Sequence, residues 1–234
     1  MQKVISFSLW GNNPKYTIGA IKNAILAPFV YPGWKCRYYC GNCVPKQIIK
    51  ELETFEHVEL MFPEESKWFS HLIFGIKCDG KKKQWRHLPM GDDSVDVMIS
   101  RDTDSRLTQR EKDAVDQWIQ SDKCFHVMRD HPLHKTKILG GTFGCKSGAV
   151  KNIDQLIVQY NMQNADFWSD QPFLRDMVWP QIEASHLSHD SFNLIEDNPF
   201  PTQRTKPEFV GQIFDENDQT SLEHIALLQL SKNR

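Results

Sequence analysis

The chain has 234 residues, 40% of them hydrophobic and 25% charged, with a net charge of −2. That length suits one α/β domain spanning 1–234 with a sizeable core, and the balance lacks the basic excess of a nucleic-acid binder. No run approaches the ~20 apolar residues of a membrane span, and residues 4–9 are too short for a signal-peptide core, so the chain reads as cytoplasmic.

Residues 4–9 predict a first strand, ended by the turn chemistry of Gly11-Asn12-Asn13-Pro14. Residues 16–30 carry apolar side chains at helical spacing. Next come a second strand over 34–39, a helix over 45–55 with Pro45 in its first turn, and a third strand over 58–62. This β-α-β-α-β order is the signature of a parallel sheet covered by helices. The stretch 63–90 is irregular, with Lys81-Lys82-Lys83 read as a solvated loop. Residues 95–99 form an apolar run apart from Asp96, as a central strand requires. Thr108 and Glu111 predict a capping box opening a helix that reaches about Gln120. Strands over 124–128 and 140–145 and helices over 150–160 and 171–179 complete the pattern, which weakens from residue 185. Gly140 and Gly141 would let something approach the backbone closely.

The six cysteines are Cys36, Cys40, Cys43, Cys78, Cys124 and Cys145. Cys40-Gly41-Asn42-Cys43 has the spacing of half a zinc site, but no second pair completes it, and reduced thiols in a reducing compartment are the preferred reading.

The segment that carries chemistry is Ser100-Arg101-Asp102-Thr103-Asp104, directly after the strand at 95–99. In extended backbone, side chains two apart point the same way, so Asp102 and Asp104 face one spot at the carboxyl end of a central strand, where open α/β sheets bind ligands. Two such carboxylates repel unless a cation sits between them, and hard oxygen ligands suit Mg2+ or Mn2+. The plainer alternative is a solvated acidic turn paired with Arg101 and Arg106.

These residues, with Met128-Arg129-Asp130-His131-Pro132, Leu139-Gly140-Gly141-Thr142-Phe143-Gly144, Asp170-Gln171-Pro172-Phe173-Leu174, Trp179-Pro180, His189-Asp190-Ser191-Phe192 and Phe209-Val210-Gly211, resemble GT-A-fold glycosyltransferases. The resemblance is to the small domains of large DNA viruses and bacteria, and it spans most of the chain after residue 85. The loop 78–83 departs from the pattern. If the source is viral, the compartment is the host cytoplasm.

The resemblance implies a Rossmann-like, mostly parallel sheet flanked by helices and a nucleoside-diphosphate sugar donor, with UDP as the default nucleotide. A glycan or other hydroxyl acceptor and a Mn2+ or Mg2+ cofactor on Asp102 and Asp104 complete the expectation. Trp10, Gly11, Asn12 and Asn13 would line the nucleotide pocket, with Arg101, Gly140 and Gly141 in the donor set. Arg86 would reach the diphosphate as a fixed cation, or else form a surface salt bridge. His189 is the candidate third metal contact, while His131 and His134 could face substrate. Asp170 and Gln171 would stand at the reacting centre of a retaining enzyme, although Asp170 is also a good helix cap. Asp130 is the rival carboxylate, suited to act as a base for inversion. A sugar nucleotidyltransferase would use the same metal logic but release pyrophosphate. A non-catalytic binding module would hold the nucleotide sugar without turnover. An aspartyl-phosphate phosphatase is disfavoured, because its Asp-x-Asp normally follows the first strand.

Overall fold

The computed structural model describes residues 1–65, 79–163 and 170–231. Its strands are β1 (Lys3–Leu9), β2 (Lys35–Cys40), β3 (Val58–Met61), β4 (Val97–Ser100), β5 (Phe125–Arg129), β6 (Phe143–Lys146) and β7 (His186–Asp190). They form one seven-stranded sheet in the order β3-β2-β1-β4-β6-β5-β7. β1 is parallel to β2 and β4, β2 to β3 and β5 to β7; β6 is antiparallel to both of its neighbours.

The period-2 alternation of the strands separates two apolar layers. Ile5, Phe7, Leu9, Val97 and Ile99 face one core with α1 (Pro14–Val30), α2 (Lys46–Leu52) and α3 (Gln109–Gln120). Val4 and Met98 face the other, with Trp85, Leu88, Phe143 and Phe173. That second layer is built by a 3-10 segment (Asp79–Gly91), α4 (Ile153–Gln163), and α5 (Asp170–Phe173). A π-helical turn (Leu174–Val178) then leads α5 into α6 (Trp179–Ile182).

Local signals set several boundaries. Asn13 caps α1 by accepting from Lys15 N at 3.0 Å, with Pro14 in the first turn. Thr108 caps α3 by accepting from Glu111 N at 3.3 Å. The Glu111 carboxylate does not turn back to the cap, since Arg101 and Tyr31 both donate to it. Only half of the expected capping box therefore forms.

Among the described residues, the elements that went unread in the sequence include the 3-10 segment, β7 and α7 (Leu222–Ser231). β7 reads His-Leu-Ser-His-Asp, with no apolar alternation, and it exists because β5 pairs with it along its length. The lysine run is a solvated loop only in part, since Lys82 is buried and paired with Glu64 at 2.9 Å, while Lys83 is exposed and lines a cavity. Cys78, named with the departing loop, lies outside the described residues. Among the described residues no helix is long and apolar enough to cross a membrane.

Candidate functional site

β4 delivers the chain to the carboxyl edge of the sheet, and α1 shapes the turn beyond it. Asn23 donates to Thr103 O (3.2 Å) and Ser105 O (2.8 Å) and accepts from Leu107 N (3.2 Å), so one buried amide fixes this turn. Gly19 lies four residues earlier on the same helix face, and a Cβ there would collide with Thr103 O. The turn presents Asp102 and Asp104 to a cavity of about 640 Å³. Lys15, in the first turn of α1, binds Asp104 Oδ2 at 2.8 Å.

Arg86 closes the opposite wall. Its backbone N–H donates to Ser8 Oγ at 3.0 Å, which ties the 3-10 segment to the end of β1. Its guanidinium is buried, with Nη1 bound to Asp102 Oδ1 and Nη2 to Asp170 Oδ2. The two glycines make room for these carboxylates. A Cβ on Gly140 would collide with Asp170 Oδ2 and Arg86 Nη2, and one on Gly141 with Asp102 Oδ2. Ser100 Oγ fixes the pair by donating to Gly140 O at 2.6 Å. What the glycines allow to approach is thus the site's own acid groups.

The electrostatics follow from this packing. Burial pushes the Asp104 carboxyl up and the charge of Asp102 adds to it, with Lys15 opposing both. Burial also pushes Asp170 up, but Arg86 more than reverses it and holds the carboxyl below its ordinary range. Trp10, Tyr16, Lys83, His134 and Gln171 line the same cavity. His134 has a fixed tautomer. Asp130 N donates to its Nδ1 at 3.1 Å, so the neutral ring carries its proton on Nε2. Burial and His131 push its pKa down to about 4. A ring in that state offers a donor, not a metal-ligating lone pair, from Nε2.

No protein-family model and no curated protein matches the sequence. Solved structures do match. A glycosyltransferase involved in the glycosylation of the major capsid of PBCV-1 is 12% identical, with 98% of this chain and 100% of that chain covered and a TM-score of 0.51. The galactosyltransferase LgtC, in complex with donor and acceptor sugar analogs, is 12% identical over 81% of this chain and 74% of that one, at a TM-score of 0.51. An active-site mutant of LgtC gives 11% identity, 94% and 85% coverage, and a TM-score of 0.53. The chain has the GT-A glycosyltransferase fold. At these identities the similarity carries the fold, and the site rests on its own geometry.

Within this GT-A frame, Trp10, Arg86, Asp102, Asp104, Gly140, Gly141, Asp170 and Gln171 meet at one cavity. The other expected positions have different partners. Arg101 points to the opposite face from its neighbours, because side chains alternate along extended backbone. It is buried against Glu111 at 2.9 Å and against Ser100 O at 2.7 Å, and so belongs to the core instead of the donor set. Asp130 is fully buried between Arg110 and Arg204, and it also accepts from Ser191 Oγ and from Val210 N at 3.0 Å. With both oxygens engaged it joins chain segments and is not placed as a base. His189 is fully buried, with Nδ1 2.8 Å from His126 Nε2 and Nε2 3.0 Å from Gln117 Oε1, away from the cavity wall. Asn13 spends its side chain on the α1 cap. Gly11, at φ +74°, gives its N–H to Cys43 Sγ, and neither they nor Asn12 line the cavity.

Lys15, Tyr16 and Lys83 went unassigned to the site in the sequence, whereas His134, considered for substrate, does line the cavity. Lys15 carried one signal: a cation in the first turn of a helix opposes the helix dipole, which suggests a carboxylate partner elsewhere. His131, also considered for substrate, has its ring fixed by Leu133 N and His224 O. Cys40 is buried, with its thiol pushed up to about 12 by burial.

Proposed function

We propose that the chain is a glycosyltransferase that moves a sugar from a nucleoside-diphosphate donor, UDP-linked by default, to a hydroxyl acceptor such as a glycan, with retention. The observation that carries this reading is the Arg86 guanidinium, which binds Asp102 and Asp170 together at the edge of a GT-A sheet.

The residues present suit a divalent cation. Asp102 and Asp104 supply hard oxygens, and the crowding that pushes Asp104 up is relieved by positive charge between the two. Among the described residues no third His, Cys, Asp or Glu joins them, so diphosphate and water would complete the shell. When bound, Mg2+ or Mn2+ would neutralise the leaving diphosphate as a Lewis acid.

The chain's own side chains do the rest. Lys83 and Arg86 set a positive wall for the phosphates, and Trp10 offers a flat apolar face for the base. Asp170, kept ionised by Arg86, would face the positive charge that develops at the anomeric carbon, with Gln171 beside it. The glycine pair and Ser100 hold these groups in place, which is the positioning part of the rate.

The test is product analysis. Incubation with a panel of nucleotide sugars and Mn2+ should release nucleoside diphosphate and leave a retained anomer on the acceptor. Release of pyrophosphate would instead indicate a nucleotidyltransferase. Stabilisation by a nucleotide sugar without turnover would indicate a binding module.

A further inference from the structure

His87 is fully buried one residue after Arg86, and among the described residues neither of its ring nitrogens has a hydrogen-bond partner. The ring stacks on Phe173 (6.0 Å, 14°) and leans against Phe143 at 5.4 Å. Its Nε2 lies 4.0 Å from Asp170 Oδ2, the oxygen that also receives Arg86 Nη2. Burial and the adjacent guanidinium push its pKa down to about 3, so the ring is neutral and has one N–H to give.

Such a side chain is costly where it stands. Nearly all buried polar groups are paired, and leaving both an N–H and a lone pair dry loses stability. A phenylalanine would suit the same aromatic slot without that loss. The unpaired atoms form a run along this segment: among the described residues, Gln84 Oε1, Trp85 Nε1 and Arg86 Nε are also buried without partners.

Arg86 supplies the reason for a histidine. Its two terminal nitrogens are committed to Asp102 and Asp170. A guanidinium that turns to a diphosphate must loosen one of these bonds, and a buried carboxylate left alone is driven toward protonation. We propose that His87 is a positioning residue for Asp170, whose Oδ2 takes the His87 Nε2–H when Arg86 turns toward the donor diphosphate. Closure by about 1 Å brings the two atoms into hydrogen-bond range. A neutral donor holds the carboxylate without cancelling its charge, so Asp170 stays able to face a developing cation. This rests on the roles given above to Arg86 and Asp170 and adds the group that keeps Asp170 oriented.

The experiment compares His87→Phe and His87→Gln with the native chain in melting temperature, UDP affinity in Mn2+ by calorimetry, and kcat for UDP release from a UDP-sugar. His87→Phe should melt no lower than native, bind UDP within about twofold of native, and lose about tenfold or more in kcat. His87→Gln, which places an N–H near the same position, should recover part of that loss. In an Asp170→Asn background His87→Gln should have no further effect, which keeps the test available if His87→Phe fails to fold. Native kcat in the Phe variant, or effects of His87→Gln and Asp170→Asn that simply multiply, overturns the inference while leaving the site reading in place. A native chain that neither binds UDP nor releases it from any sugar donor overturns both.

Discussion

Gly140 and Asp170 touch so closely that a methyl group on the glycine would collide with the aspartate's Oδ2. The contact links β6's approach to the sheet edge with the start of α5, and Arg86 lies against the same spot.

Gly140→Ala should therefore act through geometry. The methyl must displace Asp170, Arg86 or both, while the fold around them has other anchors. Transfer should fall on the order of 10²-fold, as expected when a catalytic group moves by about 1 Å. Circular dichroism should stay native. Gly148→Ala is a useful contrast: a Cβ there meets nothing within 4 Å, although its φ of +76° adds some backbone strain. Native turnover by Gly140→Ala would show that the Asp170 position has slack.

Asp102→Asn and Asp104→Asn should each abolish Mn2+-dependent binding of a nucleoside diphosphate, measured by calorimetry, with little change in melting. Metal binding needs the ionised carboxylates. Because the Asp104 carboxyl is pushed up by burial and by Asp102, affinity should decline at a higher pH than for an ordinary carboxylate pair as acid is added. Unchanged Mn2+-dependent binding in both variants would remove the metal from the reading.

Asp170→Asn and Asp130→Asn should separate chemistry from stability. Asp170→Asn keeps an acceptor for Arg86, which retains Asp102, so melting should fall only modestly. Transfer should drop by about 10²-fold or more at near-native donor affinity. Asp130→Asn removes the charge between Arg110 and Arg204, and losing one partner of a buried pair costs on the order of 3–5 kcal/mol. Both carboxyls are held below their ordinary values in the folded state, so each contributes stability above the unfolded value near ~3.9 that is lost as pH falls through the folded one. The reverse pattern, with Asp130→Asn inactive but fully stable, would restore Asp130 as the catalytic carboxylate.

His189→Gln should leave Mn2+ affinity unchanged and alter the acid limb of stability. Burial pushes His189 down to about 4, with Arg110 adding to it, whereas an unfolded histidine titrates near ~6.5. The unfolded chain binds more protons between those values, so native stability falls as pH drops from about 6.5 through about 4. Glutamine cannot titrate, and melting temperatures across that window should be flatter in the variant. A loss of Mn2+ affinity in His189→Gln would return this histidine to the metal.

Sequence alone determined the frame and which two carboxylates stand together at its edge. The apolar runs of β1 and β4, the turn at Asn13-Pro14 and the Thr108 cap are short-range signals, and each sets its element wherever the rest of the chain goes. The position of Asp102-Thr103-Asp104 directly after an apolar strand marks the sheet edge where both carboxylates emerge, although a turn held by Asn23, not extended backbone, aims them at one cavity. The Gly140-Gly141 pair marks a close approach without naming the visitor. Tertiary structure decided everything that depends on a partner far along the chain. Arg101 and Arg86 are the same residue type near the same motif, yet the strand alternation turns Arg101 into Glu111 while the Ser8 bond aims Arg86 at Asp102 and Asp170. Asp130 and His189 look like site residues in a linear reading, and become structural because Arg110, Arg204, His126 and Gln117 reach them first. β7 has no alternation of its own and exists through its pairing with β5. A carboxylate or imidazole can serve as ligand, base or buried tie, and which one it becomes is set by the charges and hydrogen-bond partners that folding brings to it.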